Sequence, residues 1–251
     1  MPAPAAGPDV AAAFAELAET LAGGLDIDTY LIAVCRQCVR LVAAESAAIR
    51  YAAGDDNDSL GVAASDERSL MLALGAPGTR QGGCPPDGPW TDCKRTGQLI
   101  TIADLGAKLD QWPWFAKTAV QAGYTTVTLV PVSSPDGIVG ALALLGGTAP
   151  DADGILLALS LADAAGAGLA LCREHRRQEV AITQLQSALT SRIVIEQAKG
   201  ILAERWKVAP QEAFGHLRRH ARSSQQGLPE VARAVIAGTC ELARPDPAQP
   251  V

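Results

Sequence analysis

Aromatic residues are scarce in this sequence: its 251 residues include four Trp, three Tyr and three Phe. Aliphatic side chains and Ala must therefore build most of any core, and 48% of the chain is hydrophobic. The longest uncharged run, 118–135, is interrupted by Thr, Ser and Pro, so it does not predict a membrane span. The first ten residues lack the basic region and apolar core of a signal peptide. A cytoplasmic protein is expected.

The six cysteines are scattered and form no recognisable metal or disulfide framework. Cys35 and Cys38 share the apolar side of a predicted helix. Core packing is their favoured role, because a metal site would need further ligands. Cys84 and Cys93 are candidate sensor thiols, which leaves a tetrapyrrole anchor, a redox thiol and a disulfide switch open. No metal is expected, and the cofactor is unknown.

Charge divides the chain into two parts. Residues 1–171 contain nine Lys and Arg against nineteen Asp and Glu, whereas residues 172–251 contain twelve against eight. All three His also lie in the second part. A basic C-terminal part suits a polyanionic partner, although an ordinary mixed-charge helical tail has the same composition.

The first two thirds of the chain alternate between helical and strand-like patterns. Helices are predicted at 9–23, 29–42, 66–74, 90–95 and 113–122, and strands at 46–52, 60–64, 99–103, 125–132 and 138–145. Asp28 is the expected N-cap of the second helix, and residues 133–137 (SSPDG) predict a hairpin turn. This order favours an α+β domain in which an antiparallel sheet has helices on one side.

Several stretches of this part resemble a GAF domain. They are 92–105 (DCKRTGQLITIADL), 112–115 (WPWF), 122–124 (AGY), and the strand pair around Pro131-Val132 and Gly140-Ala141-Leu142. The resemblance covers roughly residues 26–171. It implies a five- or six-stranded antiparallel sheet flanked by helices, with a small-molecule pocket on one face. The cyclic-nucleotide signature of some GAF domains is not recognisable, so a ligand is not named, and a role in dimerisation alone is the alternative.

One long helix is predicted from Asp151 to about Lys207, because this stretch contains no Pro. Its first part, up to Leu171, is apolar nearly all round, which suits burial. A heptad-like seam with steps of four and three follows, at Leu171, His175, Gln178, Ile182, Leu185 and Leu189. A parallel coiled coil at 172–189 and a homodimer are expected, with a solvated connector helix as the alternative.

Two further helices are predicted after this one. Pro210 opens the second helix, and Pro229 opens a third that runs to about Leu242. The expected core of this module is Val194, Ile195, Ala198, Ile201, Leu202, Ala213, Phe214, Leu217, Ala221, Leu228, Val231, Ala232, Val235 and Ile236. Trp206 and Phe214 occupy apolar positions, which favours core packing over base stacking.

The C-terminal module resembles an ANTAR domain. The resemblance is carried by 191–205 (SRIVIEQAKGILAER), together with 212–214 (EAF), 217–218 (LR), 221–222 (AR) and 231–232 (VA). It implies RNA binding and transcription antitermination, in which a dimer captures two neighbouring hairpins of a nascent leader transcript. The overlapping terminator then cannot form.

Basic residues of this module are the candidate RNA contacts. Arg192, Lys199, Arg218 and Arg222 are expected to contact phosphates or bases, and Ser191 and Gly200 to allow close approach of the RNA. A glycine inside a helix costs about 1 kcal/mol against Ala. Close helix packing and close approach of a ligand are both open explanations for Gly200.

The sequence therefore predicts five segments: an N-terminal tail and helix (1–25), a GAF sensor (26–171), a coiled-coil linker (172–189), an ANTAR domain (190–243) and a disordered tail (244–251). The expected function is signal transduction without enzymatic activity, in which the sensor controls the RNA-binding output. A Cys-dependent redox enzyme of the methionine sulfoxide reductase type is one alternative. A DNA-binding transcription factor is the other, because three small helices can resemble a helix-turn-helix.

Overall fold

The structure, a computed structural model, describes residues 7–24, 26–53, 60–75, 88–240 and 242. Its contacts separate into two compact units, residues 1–175 and residues 176–251. One long helix, α6 (Ala152–Trp206), contributes residues to both units.

The first unit contains a single antiparallel sheet with the strand order β2-β1-β5-β4-β3. Its elements before α6 are α1 (Gly7–Gly23), α2 (Ile27–Val42), β1 (Ser46–Ala52), β2 (Leu60–Ala64), α3 (Glu67–Leu74), α4 (Pro89–Thr96), β3 (Ile100–Ile102), a 3₁₀ turn (Gly106–Lys108), α5 (Pro113–Gln121), β4 (Thr126–Ser134) and β5 (Gly137–Gly146). All five strands fall within two residues of their predicted bounds. The hairpin turn joins β4 to β5 as predicted.

Helices cover both faces of this sheet. Side chains of α1, α2 and α6 pack on one face, and side chains of α3, α4 and α5 pack on the other. The prediction of helices on one side was therefore wrong. The helices at the start of the chain, α1 and α2, share the first face with α6, whose buried Ala158, Leu161 and Ala165 belong to the same core.

Two glycines allow α6 to approach the rest of the first unit closely. A Cβ on Gly166 would lie 1.8 Å from the carbonyl oxygen of Ser133, and a Cβ on Gly168 would lie 2.2 Å from the Tyr30 ring. The Tyr30 hydroxyl also donates a hydrogen bond to the Ala164 carbonyl oxygen at 2.8 Å. Side chains larger than hydrogen do not fit at these two positions.

By length and composition, α6 is the one helix of the described ranges that could cross a membrane. An 18-residue window has a mean hydropathy of 2.0, and 39% of that window is buried inside the protein. Its buried residues complete the core of the sheet unit, which gives the apolar composition a role in packing.

Asp26, rather than Asp28, caps α2. The Asp26 carboxylate accepts a hydrogen bond from the Thr29 backbone N–H at 3.2 Å. Asp28 lies in the first turn and accepts a hydrogen bond from the Tyr51 hydroxyl at 2.6 Å. An acidic residue suits both positions. Asp26 is the N-cap because α2 begins two residues before the start that the apolar pattern predicts.

The second unit consists of the remainder of α6, α7 (Pro210–Ser223) and α8 (Leu228–Ile236). Its buried core is formed by Ala198, Leu202, Trp206, Ala213, Leu217, Ala221, Val231, Ala232 and Val235. The third helix ends at Ile236 rather than near Leu242, and the chain turns at Gly238, where φ is +72°. Leu242 still packs against the core, which explains why the apolar pattern continues beyond the helix.

Candidate nucleic-acid interface

Two arginines lie together on one exposed ridge of α7. Ala213, Leu217 and Ala221 form the buried side of this helix. Arg218 and Arg222 are exposed and are four residues apart, so they are neighbours across one turn. Within the described residues, neither guanidinium has an acidic partner within 4.0 Å. The ridge therefore carries two positive charges that are available to an external anion.

Arg192 and Lys199 share one side of α6. They are seven residues apart, which is close to two helical turns. Arg192 is exposed and has no acidic partner within the ranges that the structure describes. Lys199 differs, because its ammonium forms an ion pair with Glu196 and its side chain is only 19% exposed. Arg192 is thus the more available of these two cations.

Ser191 and Gly200 do not lie on one surface. They are nine residues apart, which places them on opposite sides of a helix with 3.6 residues per turn. Ser191 is partly buried on the side of the core residue Ala198, whereas Gly200 is exposed. A single ligand that approaches α6 from one side cannot use both residues. The prediction grouped these two residues because it left out the rotation about the helix axis that separates them.

Phe214 differs from its predicted role. It is half-buried, and it is not among the residues that pack in the core cluster of the described second unit. It precedes Arg218 by four residues, so it lies on the ridge of Arg218 and Arg222. Trp206, by contrast, is buried in the core as predicted. The sequence did contain a signal for this: Phe214 lies at the edge of the helix face that Ala213 and Leu217 define.

Ile236 was also predicted in the core. The structure shows that this prediction is wrong, since Ile236 is 40% exposed at the end of α8.

Histidines connect α7 to its surroundings on the other side of the helix. The rings of Trp206 and His216 meet edge to face, with 5.8 Å between centroids. His220 Nε2 lies 3.7 Å from the Cys240 Sγ, which holds the segment after α8 against α7. These contacts support the helix that carries the arginine ridge.

The structure describes one of the two candidate sensor thiols, Cys93. Cys84 lies outside the described residues. Cys93 is fully buried, and its Sγ donates a hydrogen bond to the Gln98 carbonyl oxygen at 3.4 Å. Burial raises the pKa of Cys93 to about 12, so the reactive thiolate is disfavoured at neutral pH.

Two further cysteines of this unit behave as predicted. Cys35 and Cys38 are buried in the core between α2 and the sheet. Burial raises the pKa of Cys35 to about 12 and raises the pKa of Cys38 well above its usual value. Core packing is confirmed for both. Among the described residues, no group of three or more His, Cys, Asp or Glu side chains is arranged to hold a metal ion.

A cavity of about 800 Å³ lies beside α1, the end of α2 and the start of α6. Charged residues of both signs line it, including Arg40, Asp9 and Asp153. On the other face of the sheet, the buried guanidinium of Arg50 lies 5.5 Å from the centre of the Trp90 ring. Charged side chains therefore lie beside the helices on each of the two faces of the sheet.

Comparison with protein families assigns both units. The family model described as GAF domain matches residues 24–170, which is more than half of the chain. The model described as ANTAR domain matches residues 183–236. This protein belongs to the GAF family and carries an ANTAR domain. The ANTAR match begins ahead of the predicted start at 190 and ends with the last residue of α8, Ile236.

Solved structures similar to this chain include GAF domains and one enzyme. The GAF domain of an Acinetobacter phosphoenolpyruvate-protein phosphotransferase is 11% identical, with a TM-score of 0.47, and covers 64% of this chain and 93% of its own. The corresponding domain from Coxiella burnetii is 13% identical, with a TM-score of 0.48, and covers 69% and 97%. Free methionine-R-sulfoxide reductase from Neisseria meningitidis, in complex with its substrate, is 13% identical, with a TM-score of 0.48, and covers 68% and 95%. No curated protein sequence matches this chain significantly.

A GAF domain joined to an ANTAR domain is the architecture of a sensor-regulated antitermination regulator. ANTAR domains are output domains that bind RNA, which supports RNA as the general class of partner. This architecture is typical of regulatory proteins.

Proposed function

We propose that this protein binds two neighbouring hairpins of a nascent leader RNA and thereby prevents transcription termination. The pair of exposed arginines on α7, Arg218 and Arg222, carries this proposal. Like charges across one helical turn repel each other by a few tenths of a kcal/mol. Phosphates would remove this repulsion and gain charge-assisted hydrogen bonds.

The remaining site residues are assigned by their exposure. Arg192 contributes a further phosphate contact from α6, and Lys199 contributes once it leaves Glu196. Phe214 offers an aromatic surface beside Arg218 on which an unpaired base can stack. Hairpin loops supply such bases, whereas base edges in paired A-form RNA are difficult for a side chain to reach. Charge and shape provide most of the affinity, and the single aromatic adds preference for loops.

Two hairpins require two RNA-binding units, which we infer to come from a homodimer. The linker part of α6 exposes Ile182, Leu185 and Leu189 at the spacing of a coiled-coil seam. Because α6 runs without interruption from the sheet unit into the ANTAR unit, a signal in the GAF domain can reach the output through this helix. A ligand or partner that favours one dimer arrangement would shift the population that binds RNA.

Binding and read-through measurements with the full chain test this function. A leader RNA with two hairpins and an overlapping terminator should bind more tightly than either single hairpin at the same salt concentration. Addition of the protein to a transcription reaction should increase read-through of that terminator. Tighter binding of duplex DNA at the same salt would instead favour the DNA-binding alternative. Failure to bind any tandem hairpin at low ionic strength would refute the proposed function.

A further inference from the structure

The cavity beside α1, of about 800 Å³, is formed by four separate elements of the sheet unit. Its wall consists of the start of α1, the end of α2, the end of β5 and the first turns of α6. Binding sites for small molecules measure about 300–1,000 Å³, so the volume suits an organic ligand. We call this space the α1 cavity.

Apolar side chains form the inner wall of the α1 cavity. Leu41 and Val42 of α2 and Leu144 of β5 are buried in this wall. Val10 of α1 and Leu157 of α6 are half-buried, so part of each side chain is accessible to an occupant. Burial of apolar surface is favourable, and an occupant with an apolar body would therefore gain affinity here.

Two exposed carboxylates, Asp9 and Asp153, also line the α1 cavity. Asp9 lies in the first turn of α1, and Asp153 lies in the first turn of α6. Within the described residues, neither carboxylate has a basic partner within 4.0 Å. Both negative charges are therefore available to a ligand.

Arg40 does not neutralise these carboxylates. Among the residues that the structure describes, it is the one basic residue in the cavity wall. Its Nη1 lies 3.5 Å from the Oε1 of Glu16, which does not line the cavity. The positive charge of Arg40 is therefore balanced from outside the cavity.

The helix ends at the α1 cavity leave its charge negative. The N-termini of α1 and α6 each carry about half a positive charge, and the C-terminus of α2 carries about half a negative charge. Asp151 caps α6, because its Oδ1 accepts a hydrogen bond from the Gly154 backbone N–H at 2.9 Å. Together with Asp9 and Asp153, this third carboxylate outweighs the two helix N-termini. The cavity should therefore attract a cation.

We propose that the α1 cavity binds a small organic amine, with its ammonium group held by Asp9 and Asp153 and its apolar body against Val10 and Leu157. Carboxylates bind an ammonium group through charge-assisted hydrogen bonds. A metal ion fits less well, because no group of three or more His, Cys, Asp or Glu in the described ranges is arranged to hold one. The ligand would contact the first turns of α6, the helix that continues into the ANTAR unit.

Calorimetric titration of the full chain at low ionic strength tests the class of ligand. Phenethylamine, 2-phenylethanol and 3-phenylpropionate are the probes, because they combine one apolar body with a positive, a neutral and a negative group. Phenethylamine should bind about tenfold more tightly than 2-phenylethanol, which corresponds to two exposed ion pairs. The acid should bind more weakly than the alcohol. Equal binding of the amine and the alcohol, or a preference for the acid, would overturn the proposal.

Substitution of the two carboxylates tests the location. Asp9→Asn and Asp153→Asn should each raise the dissociation constant for phenethylamine about threefold, and the double variant about tenfold. Asp163→Asn is the matched control, because Asp163 is an exposed residue of α6 outside the cavity wall. Circular dichroism checks that each variant folds. An effect of Asp163→Asn as large as that of Asp153→Asn would reject the site, and so would unchanged binding by the double variant.

This proposal goes beyond the proposed function, and the two can fail separately. The amine titrations contain no RNA, so absence of amine binding would reject the cavity ligand and leave the RNA-binding function standing. If phenethylamine binds and the double variant weakens it, while no tandem hairpin binds the wild-type chain, the cavity ligand stands and the proposed function fails.

Discussion

Lys199 and Glu196 form an ion pair across one turn of α6, whereas Arg192, on the same side of the helix, has no acidic partner in the described part of the chain. The two cations that the sequence presents as equivalent are therefore different. Glu196 competes with RNA phosphates for Lys199. Glu196 is the more exposed member of the pair, with 55% of its side chain accessible, so it can move aside when a phosphate approaches Lys199.

Removal of this competition should strengthen RNA binding. We expect Glu196→Gln to lower the dissociation constant for a two-hairpin RNA about threefold and to steepen its salt dependence. Fluorescence anisotropy at several salt concentrations measures both quantities. Glu204→Gln is the matched control, because it removes the same charge from the same helix, where Glu204 pairs with Lys207 just beyond the helix end. Equal effects of the two variants would show only a general charge effect.

Loss of an arginine from the α7 ridge should weaken RNA binding. We expect Arg218→Ala to raise the dissociation constant about tenfold, a cost of about 1.4 kcal/mol. Arg233→Ala removes the same charge from an exposed position of α8 and should change binding less than about twofold. Helical circular dichroism should be unchanged in both, because both side chains are exposed. Equal losses for the two variants would contradict the assigned site.

Phe214 should distinguish looped RNA from paired RNA. We expect Phe214→Leu to raise the dissociation constant for a hairpin with an unpaired loop about tenfold, since stacking of one base contributes about 1–3 kcal/mol. Binding of a fully paired RNA stem should be unaffected. Phe214→Tyr keeps the ring and should bind as the wild type does. Equal losses with both RNAs would point to a structural defect instead.

The buried thiols should make the sheet domain sensitive to alkali. Burial raises the pKa of Cys93 to about 12, from an ordinary value of 9.0. The unfolded chain therefore releases this proton at lower pH than the folded chain does. The stability that the thiol contributes is complete below pH 9 and is lost as the pH rises towards 12.

Urea unfolding at pH 8 and pH 10 measures this loss. The free energy of unfolding should fall with a slope of up to about 1.4 kcal/mol per pH unit for one such group. Cys93→Ala should make the fall shallower. At neutral pH, iodoacetamide should modify the half-exposed Cys240 well before Cys93. Rapid alkylation of Cys93 in the folded protein would revive its role as a sensor thiol.

Local patterns in the sequence were sufficient for most elements. A short run of mostly apolar residues located β1 (Ser46–Ala52) at its observed bounds, and the turn residues 133–137 located the β4–β5 hairpin. Absence of Pro between Asp151 and Lys207 predicted the single helix α6, and the family resemblances indicated both domains. These features depend on contacts between residues that are close in the chain, so the amino-acid sequence by itself determined them.

Only the tertiary structure decided which side each element buries. It placed helices on both faces of the sheet and left Phe214 outside the core. It also showed that Lys199 forms an ion pair with Glu196, and that a Cβ built at Gly200 would have no described atom within 4 Å. These outcomes depend on how far each helix is rotated about its own axis relative to the elements it packs against. A small rotation moves a side chain between core and surface, while the pattern of residues along the chain stays the same.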